Sequence, residues 1–223
     1  MCTNIDTNMY IDYYNFLINH NQLPKYYKSY LKHVLNHKEM VYIAWIYIAN
    51  TLHSLGFINE NDMNNINNLI ICHDDSKLQK DEFIPYAKRF NGPKQKDAKT
   101  KTNFKKAVQL HKERNLHHYE TLKLYNGENW KCYAIELICD YIAMGWEFNN
   151  YIFEYFQQVK DELKMNLPNE YFNYIESIIN VISQRLDLTE KPLTENNTQL
   201  IYYLFNYYND PFENYDFAKK MNS

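Results

Sequence analysis

Glycine and proline are scarce. Four glycines and six prolines in 223 residues are too few for the many tight turns of a strand-rich fold, so long helices are expected. Disulfide patterning is missing as well: Cys2, Cys72, Cys132 and Cys139 make no CxxC pair and no framework spacing. That excludes a disulfide scaffold and reads as reduced thiols in a cytoplasmic setting. There is no surplus of positive charge. The formal net charge of −3 excludes a globally basic nucleic-acid binder and leaves only local basic patches. Nor is there a long apolar run. The most apolar stretch, Met40–Ala49 ("MVYIAWIYIA"), is too short to span a bilayer and reads as a buried helix, so no membrane partner is expected. The opening "MCTNIDTNMY" has neither a basic n-region nor an apolar h-region, so no signal peptide is expected.

What the chain does have is helical periodicity. Apolar spacing and punctuation predict helices over Tyr10–Asn19, over Tyr26–Leu55 after Pro24 and before Gly56, and over Asn61–Cys72. Further helices are expected over Asp81–Phe90, Phe104–Arg114, Tyr133–Trp146, Tyr151–Leu163, Asn169–Leu186 and Gln199–Tyr207, with Pro168 and Pro192 as breaks. Between them, Lys94–Lys106 carries six lysines and one aspartate. Its first half reads as an exposed, mobile loop that could steer an anionic substrate. No strand alternation or internal repeat is visible. The expected class is all-α: an N-terminal helical extension over 1–25, a core over 26–150, and C-terminal helices over 151–223 packed on it.

The chemistry concentrates in one stretch. "LIICHDDSKLQKDEFIPYAKRF" (Leu69–Phe90) ends an apolar helix abruptly in an imidazole, two carboxylates, a hydroxyl and an ammonium. His73 and Asp74 are adjacent, and neighbours on a helix diverge by about 100°. Both can reach one ion only where the helix ends, which is where they stand. His111 and the pair His117–His118 follow downstream. Upstream, His37 lies on the long helix with His33 one turn earlier on the same face. Asp140 sits in "ELICDYIAMGW" among apolar neighbours, where a carboxylate is costly unless it is paired or ligates metal. Imidazole and carboxylate together suit a divalent transition ion such as Mn, Fe, Co, Ni or Zn, with Mg a further option.

The order His37, His73–Asp74, Asp140 resembles the H…HD…D signature of the HD-domain superfamily of metal-dependent phosphohydrolases. The chain is still more similar to a family of small uncharacterised bacterial and viral proteins. These carry HK on an early helix, then HDxSKxxxxEFxxYAxxF, HxxRNxHHW and ExxxDWxxxG. Here the counterparts are His37–Lys38, "HDDSKLQKDEFIPYAKRF", "HKERNLHHY" and "ELICDYIAMG". The likeness covers roughly Tyr30–Trp146, with Tyr119 and Tyr141 where tryptophan is usual.

The superfamily resemblance implies an HD-like helical bundle and a ligand set of His37, His73, Asp74 and Asp140 for a first metal, with His33 the rival of His37. It implies one or two ions. Asp74 would bridge to a second ion held by His111, His117 and His118, and a metal-activated water would attack phosphorus. Lys77 is expected to contact substrate phosphate, and Arg114 and Asn115 to bind phosphate or fix their loop. Glu82 is expected either to hold a ligand histidine or to favour the first turn of its helix. The implied activity is hydrolysis of a nucleotide or another small phosphorylated molecule. Two alternatives stay open: a di-iron oxygenase, and a nucleotide-binding protein without turnover.

Overall fold

The structure is a computed structural model that describes residues 25–93, 97–149 and 151–191. The helices expected at Tyr10–Asn19 and Gln199–Tyr207, with Pro24 and Pro192, lie outside the described residues. Among the described residues the fold is all-α, with no strand. The helices are α1 (Lys25–Ser54), α2 (Glu60–Ile71), α3 (Lys80–Phe90), α4 (Ala98–Arg114), the single turn α5 (Tyr119–Leu122), α6 (Trp130–Phe148), α7 (Ile152–Asn166) and α8 (Asn169–Arg185). A 3₁₀ turn, Asp75–Leu78, joins α2 to α3.

Local chemistry sets these boundaries. Past the end of α1, Gly56 takes φ +74°, a left-handed conformation that costs glycine little. A reciprocal capping box starts α2: the Asp62 amide donates to the Asn59 side chain and the Asn59 amide to the Asp62 carboxylate, both at 3.0 Å. The loop expected over the first half of the lysine-rich segment is corrected at its end: residues 94–96 lie outside the described residues, and the helix expected from Phe104 begins earlier. The Asp97 carboxylate accepts from the Thr100 amide at 2.8 Å, and α4 begins at Ala98, so most of those lysines sit on a helix.

The centre of the bundle is α6, buried on almost every side. It packs against α1, α2, α7 and α8. Trp45, Ile48 and Leu52 of α1, Ile66 and Ile70 of α2, and Ile175, Ile178, Ile179 and Ile182 of α8 close the main core around Ile135 and Ile138. Truncating such a side chain to alanine costs about 2–5 kcal/mol. A smaller core lies beneath the α3–α4 hairpin, where Phe83, Tyr86, Ala87 and Ala107 meet Tyr30 and Val34. Along α1, Val34 belongs to the smaller core and Val41 to the larger. His37 lies between them, at the seam where the polar cluster sits. No described helix is long and apolar enough to cross a membrane.

Candidate metal centre

The end of α2 solves the problem of two adjacent ligands. After Ile71 the chain leaves the helix, and Asp74 takes φ 60°, ψ 15°. A non-glycine residue held there costs roughly 1–2 kcal/mol. The left-handed step turns the Asp74 carboxylate back toward the His73 ring, leaving Oδ2 3.6 Å from Nε2. The following 3₁₀ turn adds Ser76, whose hydroxyl donates to Glu82 at 2.9 Å and accepts from Asn115 at 2.8 Å. It also adds Lys77, whose ammonium bonds Asp74.

Asp74 stands at the middle of the cluster, and its two oxygens face different groups. Oδ2 lies 3.7 Å from His37 Nε2 and 3.6 Å from His73 Nε2. Oδ1 lies 3.1 Å from His111 Nε2 and 3.7 Å from His117 Nε2. Asp140, from the middle of α6, adds an oxygen 3.1 Å from His37 Nε2 and 3.9 Å from His73 Nε2. His118 completes the far side, its ring 4.2 Å from that of His117 and 4.8 Å from that of His111. Three ligand sets fall within metal-binding reach: His37–His73–Asp74, His73–His117–Asp140 and His111–His117–His118.

Behind the rings stands a layer of carboxylates. Glu136 Oε1 lies 3.0 Å from His73 Nδ1 and 3.1 Å from His117 Nδ1. Glu82 lies 3.0 Å from His111 Nδ1, and Glu147 3.6 Å from His37 Nδ1. Glu147 stands beyond hydrogen-bond distance of His37 Nδ1. Glu136 and Glu82 hold Nδ1 of His73, His117 and His111 as the proton donor, which leaves Nε2 of the neutral ring as a lone pair. Those lone pairs converge without partners: Nε2 of His73, His111, His117 and His118, and Asp74 Oδ1, are buried and make no hydrogen bond. Two acceptors 3.1 Å apart, such as His111 Nε2 and Asp74 Oδ1, repel unless a cation lies between them. The donors fit a divalent ion of borderline softness.

Charge says the same. Five carboxylates (Asp74, Glu82, Glu136, Asp140 and Glu147) gather around two cationic side chains, Lys77 and Arg114. A buried excess of anions needs cations. Protons on the imidazoles and a metal ion are competing ways to supply the positive charge, because a ring that binds metal must be deprotonated. Burial opposes the charge on His37, but the carboxylates of Asp140 and Glu147 beside it outweigh burial and push its pKa up to about 9. His117 also rises, Glu136 overcoming the cost of burial. Burial and the neighbouring His117 and His111 drive His118 down, so it stays neutral. Asp74 stays ionised although burial opposes it, held well below the usual carboxylate range by Lys77, His73 and His111.

The structure therefore brings His37, His73, Asp74, His111, His117, His118 and Asp140 together. His33 stays outside: its half-exposed ring lies 3.0 Å from Glu147, so that Glu147 faces His33 and His37 from one side. Of the two roles expected for Arg114 and Asn115, binding phosphate or fixing their loop, the contacts match the second. The Arg114 guanidinium is committed to Asp81 (2.9 and 2.6 Å) and Glu82 (2.8 Å). Asn115 Nδ2 is committed to Ser76 Oγ and to the His111 carbonyl at 2.7 Å. Both tie the end of α4 to the start of α3 and to the turn before it. Glu136 and Glu147 were not anticipated. Their signal was present in register, because residues 136, 140 and 147 share one face of an otherwise apolar helix.

Residues 26–181 match a family of unknown function, DUF5662. The chain belongs to this family. The DUF5662 span takes in every residue of the cluster and ends within α8. No curated protein and no solved structure matches the chain.

Proposed function

We propose that this DUF5662 chain is a metal-dependent phosphoric ester hydrolase acting on a nucleotide or another small phosphorylated molecule. The observation that carries the reading is the divided carboxylate, Asp74, with two histidines on each oxygen and unpaired Nε2 lone pairs around it. One ion would be held by His37, His73, Asp74 and Asp140, and a second by Asp74, His111, His117 and His118. When bound, such a pair supplies Lewis-acid stabilisation of a phosphoryl group and acidifies water. The order of these ligands along the chain resembles that of HD-domain phosphohydrolases, which supports a hydrolytic reading.

The chain's own residues do the rest. Glu136 and Glu82 fix the tautomer and the aim of the His73, His117 and His111 imidazoles. Lys77 is one-fifth exposed and borders the centre, where its ammonium can turn from Asp74 to the charge of a phosphoryl oxygen. Asp140 is 15% exposed, so the cluster is accessible along that edge.

The test is release of inorganic phosphate from nucleoside mono- and diphosphates, cyclic nucleotides (with a phosphomonoesterase added to free their product's phosphate) and sugar phosphates. Turnover is expected that a chelator removes and a divalent metal restores, and Lys77→Met is expected to lower kcat about 10²–10³-fold. A protein that holds its metal yet releases phosphate from none of these esters contradicts the proposal. Iron content with oxygen consumption would move the reading to a di-iron oxygenase.

A further inference from the structure

Lys38 follows His37 on α1 and is 2% exposed. It donates to the carbonyls of Ile71 at 3.1 Å and His73 at 2.7 Å, and to the carboxylate of Asp75. Asp75 is itself 6% exposed. Burying an ammonium and a carboxylate carries a desolvation penalty of several kcal/mol per ion, and a well-packed apolar pair is often no less stable. The pair therefore calls for a reason other than stability.

The contacts supply one. Ile71 is the last residue of α2, where helix carbonyls lack partners and carry the negative end of the dipole. Lys38 satisfies one of those carbonyls from a different helix. It then grips the chain on both sides of Asp74, at His73 O before it and at the Asp75 side chain after it. Asp74 is one of two non-glycine residues with positive φ among the described residues, and a conformation of that kind persists only where the surroundings hold it. The same step turns the Asp74 carboxylate toward the His73 ring. We infer that Lys38, with Asp75 as its counter-ion, is a positioning residue that locks Asp74 in the left-handed conformation required for metal binding. This rests on the metal-centre reading proposed above.

Cobalt is the probe, because the visible absorption of bound Co²⁺ reports coordination geometry. Wild-type protein, Lys38→Met and Asp75→Asn are stripped of metal and titrated with Co²⁺, and melting is followed with and without the ion. Lys38→Met is expected to retain its helical circular dichroism, to bind Co²⁺ about 10–100-fold more weakly, to show an altered visible spectrum, and to lose most of the metal-induced rise in Tm. Asp75→Asn, which keeps the ammonium and its carbonyl contacts, is expected to weaken binding in the same direction by less. It decides the question if Lys38→Met does not fold. Unchanged affinity and spectrum in the folded variants, with equal falls in Tm with and without metal, would make Lys38 structural only and overturn the inference. Failure of the wild-type protein to bind Co²⁺ would instead overturn the metal-centre reading, and this inference with it.

Discussion

Asp74→Ala is expected to lose metal from both proposed positions while keeping its helices. Asp74 is the residue whose oxygens face His37 and His73 on one side and His111 and His117 on the other. Substitutions of groups that merely orient ligands cost about 10–100-fold in metal affinity. Loss of a shared, charged ligand should exceed that, reducing affinity by more than about 100-fold. The fold should survive, because the change also removes a carboxylate that is 1% exposed and expensive to bury. Lys77, freed of its partner, is close enough to solvent to be hydrated. Elemental analysis and circular dichroism on the same sample check both halves. Full metal occupancy in the variant would show that Asp74 is not a ligand.

Glu136 should have the next largest effect. One of its oxygens serves both His73 Nδ1 and His117 Nδ1, so one substitution disturbs a ligand of each proposed ion. Burial alone would raise its pKa, but His117 and His73 outweigh burial and keep it ionised. Glu136→Gln removes the charge that makes both imidazoles strong ligands, and metal affinity should fall about 10–100-fold. Glu136→Ala leaves two buried N–H groups without an acceptor, each costing roughly 1–3 kcal/mol. It should therefore lower metal-free stability as well, whereas Glu136→Gln should lower mainly affinity. Calorimetric titration and denaturant unfolding separate the two. Equal, small effects from both variants would mean that Glu136 does not support the ligands.

Much of this arrangement was legible in the sequence, for identifiable reasons. Helices are readable because their apolar periods and their stops at Gly56 and Pro168 are local features. The seven histidines and aspartates were readable because their residue types and order are unusual together. The supporting layer was less visible. Glu82, expected to hold a ligand histidine or to favour its helix's first turn, lies against His111. Glu136 belongs to the ELICDYIAMG match but carries no role in the sequence, and Glu147 carries none either, since an acid on a helix is ordinarily solvated and only the packing of α6 makes these two exceptional. Arg114 and Asn115 leave two roles open in the sequence, phosphate binding or loop fixing, because their partners, Asp81, Glu82 and Ser76, come from a hairpin whose packing no local pattern reveals. The start of α4 was missed because the lysines suggested a loop, although Asp97 and Thr100 form an N-cap.

Elemental analysis of protein purified without added metal tests the central claim most directly. The account predicts about two transition-metal ions per chain, falling to about one in His118→Ala with the helical circular dichroism unchanged. Protein with no bound metal, or with the same single ion in both the wild-type chain and His118→Ala, would contradict it.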